Sequence, residues 1–282
     1  MRMWTDWRPF PGRLPEGQIF VLGDVHGRGG ALEMALGAIA EVPRAAPLRR
    51  LVSLGDLIDR GPANRFVIDA VLSGRETALV DEVDLLPGNH ELVLLDAVED
   101  PTWVHFYADI GGLAMIDELD PDAEAKTAPD VARMLRERLP DGFLDRILQA
   151  PSHLRLGDLV LVHAGIYPTI DETVQARFLA QGRVGTEKEH WAWVRDPFLD
   201  WEGGWDEGRR VVVLHGHTSA VRGPVHPDLF FEASDLVPTH RRINLDAGAA
   251  GCEQVGFAEL RGGETPVYRV GMARACPALG GP

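Results

Sequence analysis

Short apolar runs alternate with amphipathic segments along the first part of the chain. Residues 19–22 are apolar and lead into GDVHG, after which residues 31–39 place apolar side chains at helical spacing. Residues 51–54 lead into GDLIDRG and a second helical pattern, and residues 83–86 lead into PGNHE and the segment LVLLDAV. The pattern predicts three successive strand and helix units, with polar residues where each strand ends.

The polar residues at these strand ends are regularly spaced. Asp24, Asp56 and Asn89 lie 32 and 33 residues apart, close to the length of one βαβ unit. Because right-handed crossovers keep successive strands parallel, the carboxyl ends of the strands meet at one edge of the sheet. PGN is also common in surface turns, but its place after a predicted strand favours a shared site at that edge.

The remainder of the chain continues this pattern after one interruption. From about 100 to 150 the spacing is helical and charged, which predicts a helical insertion that packs beside the sheet and has no chemical role. Strands are predicted again at 159–162 before HAG, at 211–214 before HGHT and at 242–245 before DAGA. An α/β fold is therefore expected.

Length and composition are those of a chain with one large core. At 282 residues and 45% hydrophobic content, a single domain over 1–282 is predicted, with a core of about 18–260. No stretch approaches the ~18 apolar residues of a membrane span, and MRMWTDWRPFPG lacks the pattern of a signal peptide. We therefore expect a cytoplasmic protein without a membrane partner. Cys252 and Cys276 have no motif spacing and are expected to be inert thiols.

The formal net charge of -15 argues against a nucleic-acid partner. Binding to a polyanion needs a basic face that releases counterions, and the sequence has no stripe of Lys and Arg. Carboxylates that hold divalent cations also add negative charge, which the bound cations neutralise. The acidic balance is therefore compatible with a local anion site.

The residues at the predicted strand ends include a set of metal-ligand types. They are Asp24, His26, Asp56, Asp59, Arg60, Asn89, His90, His163, His215 and His217. Carboxylate, imidazole and amide donors without a thiolate suit hard or borderline divalent ions such as manganese, iron or zinc. Because one ion would be over-supplied, two are expected, and a bridging carboxylate would hold them ~3.5 to 4 Å apart.

Five motifs give the chain a family resemblance. GDVHG, GDLIDRGP, GNHE, HAG and HGHT occur in this order, with HWAWVRDPFL and INLDAGA between and after them. Together they resemble the phosphoprotein phosphatase family of calcineurin-like metallophosphoesterases, in particular its bacterial and phage serine/threonine phosphatases, over about 18–260. The resemblance implies a sandwich of two mixed β-sheets flanked by helices. It also implies two divalent cations, with manganese favoured and iron or zinc as alternatives.

The resemblance assigns the metal ligands residue by residue. It makes Asp24 and His26 ligands of the first cation and Asp56 the bridge between both. It assigns the second cation to the set Asn89, His163 and His217. His215 is expected to lie behind the ligands.

The same resemblance implies the catalytic chemistry. A hydroxide shared by the two cations would attack phosphorus, and His90 would protonate the leaving oxygen. Asp59 resembles the carboxylate that pairs with this imidazole, while Arg60 and Arg195 would bind the phosphate oxygens as planar forks. Glu91 is left open, because it either orients neighbouring groups or caps the next helix.

Three functions are compatible with these residues. The first is a phosphomonoesterase acting on phosphoserine and phosphothreonine in proteins, or on a phosphorylated small molecule. The second is a symmetrical bis(5'-nucleosyl)-tetraphosphate hydrolase, but such enzymes read GDLVARG and GNHD, whereas this chain has Asp59 and Glu91. The third is a catalytically inactive phosphate-binding scaffold, which would lack a ligand or His90. The first is favoured. Leu229, Phe230 and Phe231, in a loop predicted at 223–241, either cover a groove, form a dimer contact or pack inward.

Overall fold

The computed structural model describes residues 3–183 and 186–275, so Cys276 and both ends of the predicted 1–282 domain lie outside the described residues. Two β-sheets occupy the centre of this part of the chain. Their strands are β1 Arg8–Pro9, β2 Gln18–Leu22, β3 Arg49–Ser53, β4 Glu82–Leu85, β5 His153–Leu156, β6 Leu159–Val162, β7 Val212–His215, β8 Arg242–Asn244, β9 Gln254–Arg261 and β10 Val267–Arg274.

Helices cover the outer faces of the sheets. The α-helices are α1 Gly29–Ala40, α2 Asn64–Leu72, α3 Gly74–Thr77, α4 Asn89–Glu99, α5 Val104–Tyr107, α6 Leu113–Leu119, α7 Ala128–Arg138, α8 Phe143–Gln149, α9 Glu172–Leu179, α10 Pro227–Ser234 and α11 Val237–His240. Short 3-10 turns occupy Pro101–Trp103 and Ala123–Ala125, and a π-type turn occupies Ala108–Gly112. No helix in the described ranges is long and apolar enough to cross a membrane.

The larger sheet contains the three predicted strand and helix units. Its strand order is β1-β10-β9-β2-β3-β4, in which β2, β3 and β4 are parallel and the other neighbours are antiparallel. All five residues of β2 are buried, as expected for a parallel strand covered on both faces. The carboxyl ends of these three strands therefore share one edge, as the spacing predicted.

The smaller sheet has the order β5-β6-β7-β8, with β6, β7 and β8 parallel and β5 antiparallel. Apolar residues from both sheets form one core between them, including Val21, Val52, Leu161, Leu214 and Leu260. Each sheet thus buries one face against the other and a second face against helices. The predicted sandwich of two mixed sheets is confirmed.

The larger sheet includes strands on both sides of the predicted core range of about 18–260. β10 runs to Arg274 and pairs with β9 along its full length, and β1 adds an edge strand before residue 18. Arg261 and Arg269 interrupt the apolar pattern of this hairpin. Both pair with the buried carboxylate of Glu259, so charged side chains are accommodated where the sequence suggested no strand.

The predicted loop at 223–241 contains the helices α10 and α11. Phe230 and Phe231 are buried in the core between the sheets, whereas Leu229 is exposed. Of the three alternatives for this segment, inward packing is the one that the two phenylalanines adopt. Pro227 and Pro238, which lie in the first turns of the two helices, obscured the helical spacing of the apolar residues.

The segment from about 100 to 150 is helical, as predicted. Its helices α5, α7 and α8 pack against α4, and α6 packs against α7. The shared core includes Val93, Tyr107, Met115, Leu135 and Phe143. This places the segment against the helix that begins with the GNHE motif.

Candidate active site

The carboxyl ends of the parallel strands place the candidate ligands together. Asp24 follows β2, Asp56 follows β3 and Asn89 opens α4 just after β4. From the smaller sheet, His163 follows β6 directly and His217 lies two residues past the end of β7. The candidate site therefore lies where the edges of the two sheets meet.

Asp56 is at the centre of this group. Its Oδ2 atom lies 3.6 Å from Nε2 of His26 and 3.4 Å from Nε2 of His163. The amide oxygen of Asn89 lies 3.1 Å from Nε2 of His163 and 2.9 Å from Nδ1 of His217. One carboxylate thus joins two clusters of donor atoms, which is the arrangement that a bridging ligand requires.

Backbone carbonyls orient two of the imidazoles. Nδ1 of His26 lies 3.0 Å from the carbonyl oxygen of Ile58, and Nδ1 of His163 lies 2.9 Å from that of Leu54. A proton on Nδ1 that is donated to the carbonyl leaves the lone pair of Nε2 directed at Asp56. Both contacts favour the tautomer that could bind a cation through Nε2.

The electrostatics of the cluster fit bound divalent cations. Burial raises the pKa of Asp24 well above its ordinary value, and the charges of Asp246 and Asp56 raise it further. Burial also lowers the pKa of His26 to about 3 and that of His217 well below its usual range. Closely packed carboxylates and neutral imidazoles bring lone pairs together with too few N–H or O–H hydrogen-bond donors between them. The lone pairs therefore repel one another, and bound divalent cations would relieve this repulsion.

Asp24 lies somewhat apart from the two closest groups. These groups are His26 with Asp56 and His90, and Asp56 with His163 and His217, and within each the candidate ligand atoms lie within 4.8 Å of one another. Oδ2 of Asp24 lies 4.0 Å from Nε2 of His26. Both oxygens of Asp24 accept a hydrogen bond from the backbone N–H of His217 at 3.1 Å. Asp24 thereby connects the edges of the two sheets.

Glycines allow the backbone to approach these carboxylates. A Cβ atom on Gly88 would lie 2.1 Å from Oδ1 of Asp56, and one on Gly216 would lie 2.0 Å from Oδ1 of Asp24. Such distances exclude any side chain at either position. The glycines of GNHE and HGHT are therefore required by the space beside these two carboxylates.

Several non-glycine residues of the site have left-handed backbone conformations. The φ angles are 49° for His26, 49° for Asp56, 73° for Asp59, 65° for Arg60 and 66° for His217. Each such residue costs about 1–3 kcal/mol and persists only where surrounding contacts hold it. Strained residues in this density are typical of a functional site.

Glu91 holds the backbone around Asp56. Its Oε2 atom accepts hydrogen bonds from the N–H groups of Gly88 and Asp56, and Oε1 accepts one from Leu57, each at 2.8 Å. The bond from Gly88 is the helix-capping interaction at the start of α4. Glu91 therefore fulfils both of the roles that the sequence left open.

The substitution Glu91→Gln is expected to destabilise the fold by about 1–3 kcal/mol, because an amide leaves at least one of these buried N–H groups unpaired. Urea unfolding of the metal-free protein measures the loss, and calorimetric titration with Mn²⁺ should show weaker binding. Glu99→Gln, in the last turn of the same helix with a half-exposed side chain, is the control and should change neither quantity appreciably. If Glu91→Gln had the same midpoint of urea unfolding as the wild type, the proposed role of Glu91 would be contradicted.

His90 forms a hydrogen-bonded chain with two other buried side chains. Its Nδ1 lies 2.7 Å from Oδ2 of Asp59, and the hydroxyl of Tyr107 donates to Oδ1 of Asp59 at 2.7 Å. Burial lowers the pKa of His90, but the charges of Asp56 and Asp59 outweigh it, and the net direction is upward. His90 also lies as close to His26 and Asp56 as a ligand would, so both a proton-donating and a ligating role are geometrically open.

Tyr107 was not recognised from the sequence. It lies in the segment to which no chemistry was assigned, and its spacing matches the apolar stripe of a helix. Nothing in the local pattern separates a tyrosine that packs from one whose hydroxyl meets a carboxylate. The contact arises only from tertiary packing.

Arg60 and Arg195 are exposed at the site, and no described residue forms an ion pair with either side chain. The positive charge of Arg60 lowers the pKa of His26 and of His90, and that of Arg195 lowers the pKa of His217. Both guanidinium groups are thus close to the candidate ligands and available to an anion.

His215 lies behind the candidate ligands, at the end of β7. Its Nε2 accepts a hydrogen bond from Nη1 of Arg242 at 3.1 Å, and its Nδ1 lies 3.0 Å from the carbonyl oxygen of Gly216. Both ring nitrogens are therefore occupied by protein contacts. Nη2 of Arg242 donates to the carbonyl oxygen of Leu199, so this pair supports the segment that follows Arg195.

A model of the calcineurin-like phosphoesterase domain matches residues 17–241. The chain belongs to the calcineurin-like phosphoesterase family. The resemblance to calcineurin-like metallophosphoesterases is confirmed, and members of this family are hydrolases with a dimetal centre. Which residues bind each cation, and which metals they are, stay predictions.

Curated relatives of this calcineurin-like phosphoesterase are named symmetrical bis(5'-nucleosyl)-tetraphosphatases. The protein from Yersinia enterocolitica is 34% identical over 157 residues, which cover 55% of this chain and 44% of that protein. The protein from Acidovorax ebreus is 30% identical over 158 residues, which cover 55% of this chain and 47% of that protein. The matched stretch thus spans less than half the length of these relatives.

Two solved structures align with most of the chain at low sequence identity. A putative diadenosine tetraphosphatase aligns with a TM-score of 0.46 at 21% identity, covering 88% of this chain and 90% of its own. A serine/threonine phosphatase from Saccharomyces cerevisiae aligns with a TM-score of 0.49 at 12% identity, covering 93% of this chain and 81% of its own.

Proposed function

We propose that this phosphoesterase hydrolyses its substrate at a dinuclear centre held by Asp24, His26, Asp56, Asn89, His163 and His217. The observation that supports it most is the position of Asp56, whose Oδ2 faces imidazoles from both sheets at 3.6 and 3.4 Å. Two divalent cations at such a centre supply Lewis acidity and a nucleophile at neutral pH. Manganese, iron and zinc all suit these donors.

The protein's own side chains would bind the phosphate and protonate the leaving group. Arg60 and Arg195 present exposed guanidinium groups that match phosphate oxygens in a bidentate manner. His90 is fixed through Nδ1 by Asp59, which leaves Nε2 to donate a proton to the leaving oxygen.

We propose a dinucleoside tetraphosphate, cleaved symmetrically, as the substrate. The support comes from the curated relatives at 30–34% identity, which are named for this activity. This reverses the preference for phosphoserine and phosphothreonine that Asp59 and Glu91 suggested in the sequence. An inactive phosphate-binding scaffold has less support, because no candidate ligand is missing and His90 is in place.

A phosphoserine or phosphothreonine substrate is the second candidate, because one observation favours it. A serine or threonine alkoxide is a far more basic leaving group than a nucleoside diphosphate and depends more on protonation. The buried pair of Asp59 and His90 provides an acid for that purpose.

Turnover of diadenosine tetraphosphate and of a phosphothreonine peptide tests the substrate assignment. The metal-stripped protein is expected to be inactive and to recover activity with Mn²⁺, releasing ADP from the dinucleotide with the higher kcat/KM. Faster phosphate release from the peptide would support the second candidate. Tight Mn²⁺ binding without turnover of either substrate, or of p-nitrophenyl phosphate, would support the scaffold.

A further inference from the structure

Two residues of the segment Val104–Leu119 contact the turn that contains Asp59 and Arg60 directly, and a third acts on it through Asn64. The first is Tyr107, which is fully buried and donates its hydroxyl to Oδ1 of Asp59 at 2.7 Å. The other carboxylate oxygen, Oδ2, faces Nδ1 of His90 at 2.7 Å. Tyr107 therefore fixes the rotation of the carboxylate that in turn fixes the imidazole.

The second contact is made by Gly111. Its carbonyl oxygen accepts a hydrogen bond from the backbone N–H of Arg60 at 3.0 Å. Its φ angle of 129° interrupts the helix at this point, and a Cβ atom on Gly111 would lie 2.6 Å from Cγ of Arg60. The glycine thus leaves the space in which the Arg60 side chain extends.

The third contact is indirect and runs through Asn64. Glu118 accepts hydrogen bonds from the backbone and side-chain nitrogens of Asn64 at 2.6 and 2.9 Å. Oδ1 of Asn64 accepts one from the backbone N–H of Asp59 at 2.6 Å. Glu118 therefore fixes Asn64, and Asn64 in turn fixes the backbone of Asp59.

These contacts act on two consecutive strained residues. Asp59 and Arg60 have φ angles of 73° and 65°, a pair that L-residues adopt only where neighbouring structure imposes it. Tyr107, Gly111 and Glu118 all lie outside the strand and helix that the turn connects, and Glu118 acts through Asn64, the first residue of that helix. Without them the turn would relax, and both functional side chains would change direction.

We propose that Tyr107, Gly111 and Glu118, here called the insertion clamp, position Asp59 and Arg60 for leaving-group protonation and phosphate binding. The inference rests on the proposed phosphohydrolase function and adds positioning residues from a segment that otherwise serves as packing. In the reaction, a hydroxide derived from water forms the new P–O bond. The P–O bond to the leaving oxygen breaks with its electron pair, and that oxygen takes the proton from Nε2 of His90, which solvent then replaces.

The variant Tyr107→Phe removes only the hydroxyl from the clamp. We expect kcat for alkyl phosphates to fall about 10- to 100-fold, the usual effect of losing a partner that orients an active-site group. KM and Mn²⁺ stoichiometry should be unchanged, and activated aryl phosphates should be hydrolysed at nearly the wild-type rate. The measurement is kcat across phosphate monoesters with leaving groups of increasing basicity.

Tyr268→Phe is the matched control. The hydroxyl of Tyr268 also donates to a carboxylate, that of Asp235, at 2.9 Å, and its side chain is buried. This variant should lose thermal stability without any change in leaving-group dependence. A double variant of Tyr107→Phe with His90→Asn should be no slower than His90→Asn alone, since the hydroxyl acts through the imidazole.

Gly111→Ala tests the second part of the clamp. It is expected to weaken binding of inorganic phosphate to the Mn²⁺-loaded protein at least 10-fold, by displacing Arg60. Gly142→Ala is the control, because Gly142 also has a left-handed backbone, with φ of 75°, but nothing lies within 4 Å of the added Cβ. Calorimetric titration with phosphate measures both variants without requiring turnover.

The outcomes separate failure of this inference from failure of the proposed function. If the wild type binds Mn²⁺ but hydrolyses no phosphate ester or anhydride, the proposed function fails. If the wild type is active and Tyr107→Phe slows all leaving groups equally, or if Gly111→Ala binds phosphate as Gly142→Ala does, the insertion clamp is overturned.

Discussion

Asp56→Asn is expected to lower kcat/KM at least about 10³-fold, equivalent to about 4 kcal/mol of transition-state stabilisation. The amide replaces a carboxylate that faces both groups of candidate ligands, at 3.6 Å from His26 and 3.4 Å from His163. A neutral oxygen compensates neither cation well, so both should bind more weakly. Metal analysis of the dialysed variant and its kinetics at saturating Mn²⁺ provide the two measurements.

Asp158→Asn is the matched control for this loss. Asp158 is a buried carboxylate whose Oδ2 accepts a hydrogen bond from the backbone N–H of Arg13 at 2.7 Å, and it contacts no candidate ligand. We expect reduced stability with wild-type metal content and kcat. Retention of two cations by Asp56→Asn would show that Asp56 is not the bridge.

His90→Asn is expected to lower kcat about 10²- to 10⁴-fold for substrates with a poor leaving group, the range that general acid catalysis contributes. The loss should be much smaller for p-nitrophenyl phosphate, whose leaving group departs without protonation. Both cations should remain bound. Kinetics with an alkyl and an aryl phosphate, together with metal analysis, measure the effect.

The control for His90 is His153→Asn, since His153 is half-buried and its Nδ1 lies against the hydroxyl of Ser152. It should retain wild-type rates on both substrates. His90 also lies within ligand distance of His26 and Asp56. If His90→Asn lost a cation and kept the same leaving-group dependence, His90 would be a ligand instead of the acid.

The strand ends were predictable because their signal is local. Apolar runs of four or five residues followed by GD, GN, HAG or GH marked the ends of β2, β3, β4, β6 and β7 to within one residue or so. Parallel pairing then brought Asp24, Asp56 and Asn89 to one edge by geometry alone. The β9–β10 hairpin was less predictable, because its charged residues are neutralised by Glu259 only in the folded sheet.

The hydrogen bonds that support the site could not be predicted from the sequence. Glu91 accepts hydrogen bonds from three backbone groups, two of them more than 30 residues away. Tyr107 meets Asp59 across 48 residues of chain. Such contacts depend on the exact packing of helices against turns, whereas motif spacing records only which residues lie near a strand end.

The candidate ligands of the two sheets are synthesised at different times. Asp24, His26, Asp56 and Asn89 all belong to the first three strand and helix units, so they leave the ribosome before any strand of the smaller sheet. His163 and His217 follow only with β6 and β7. The candidate ligands of the larger sheet are thus synthesised first. The site is completed only when the smaller sheet packs against the larger one and adds His163 and His217.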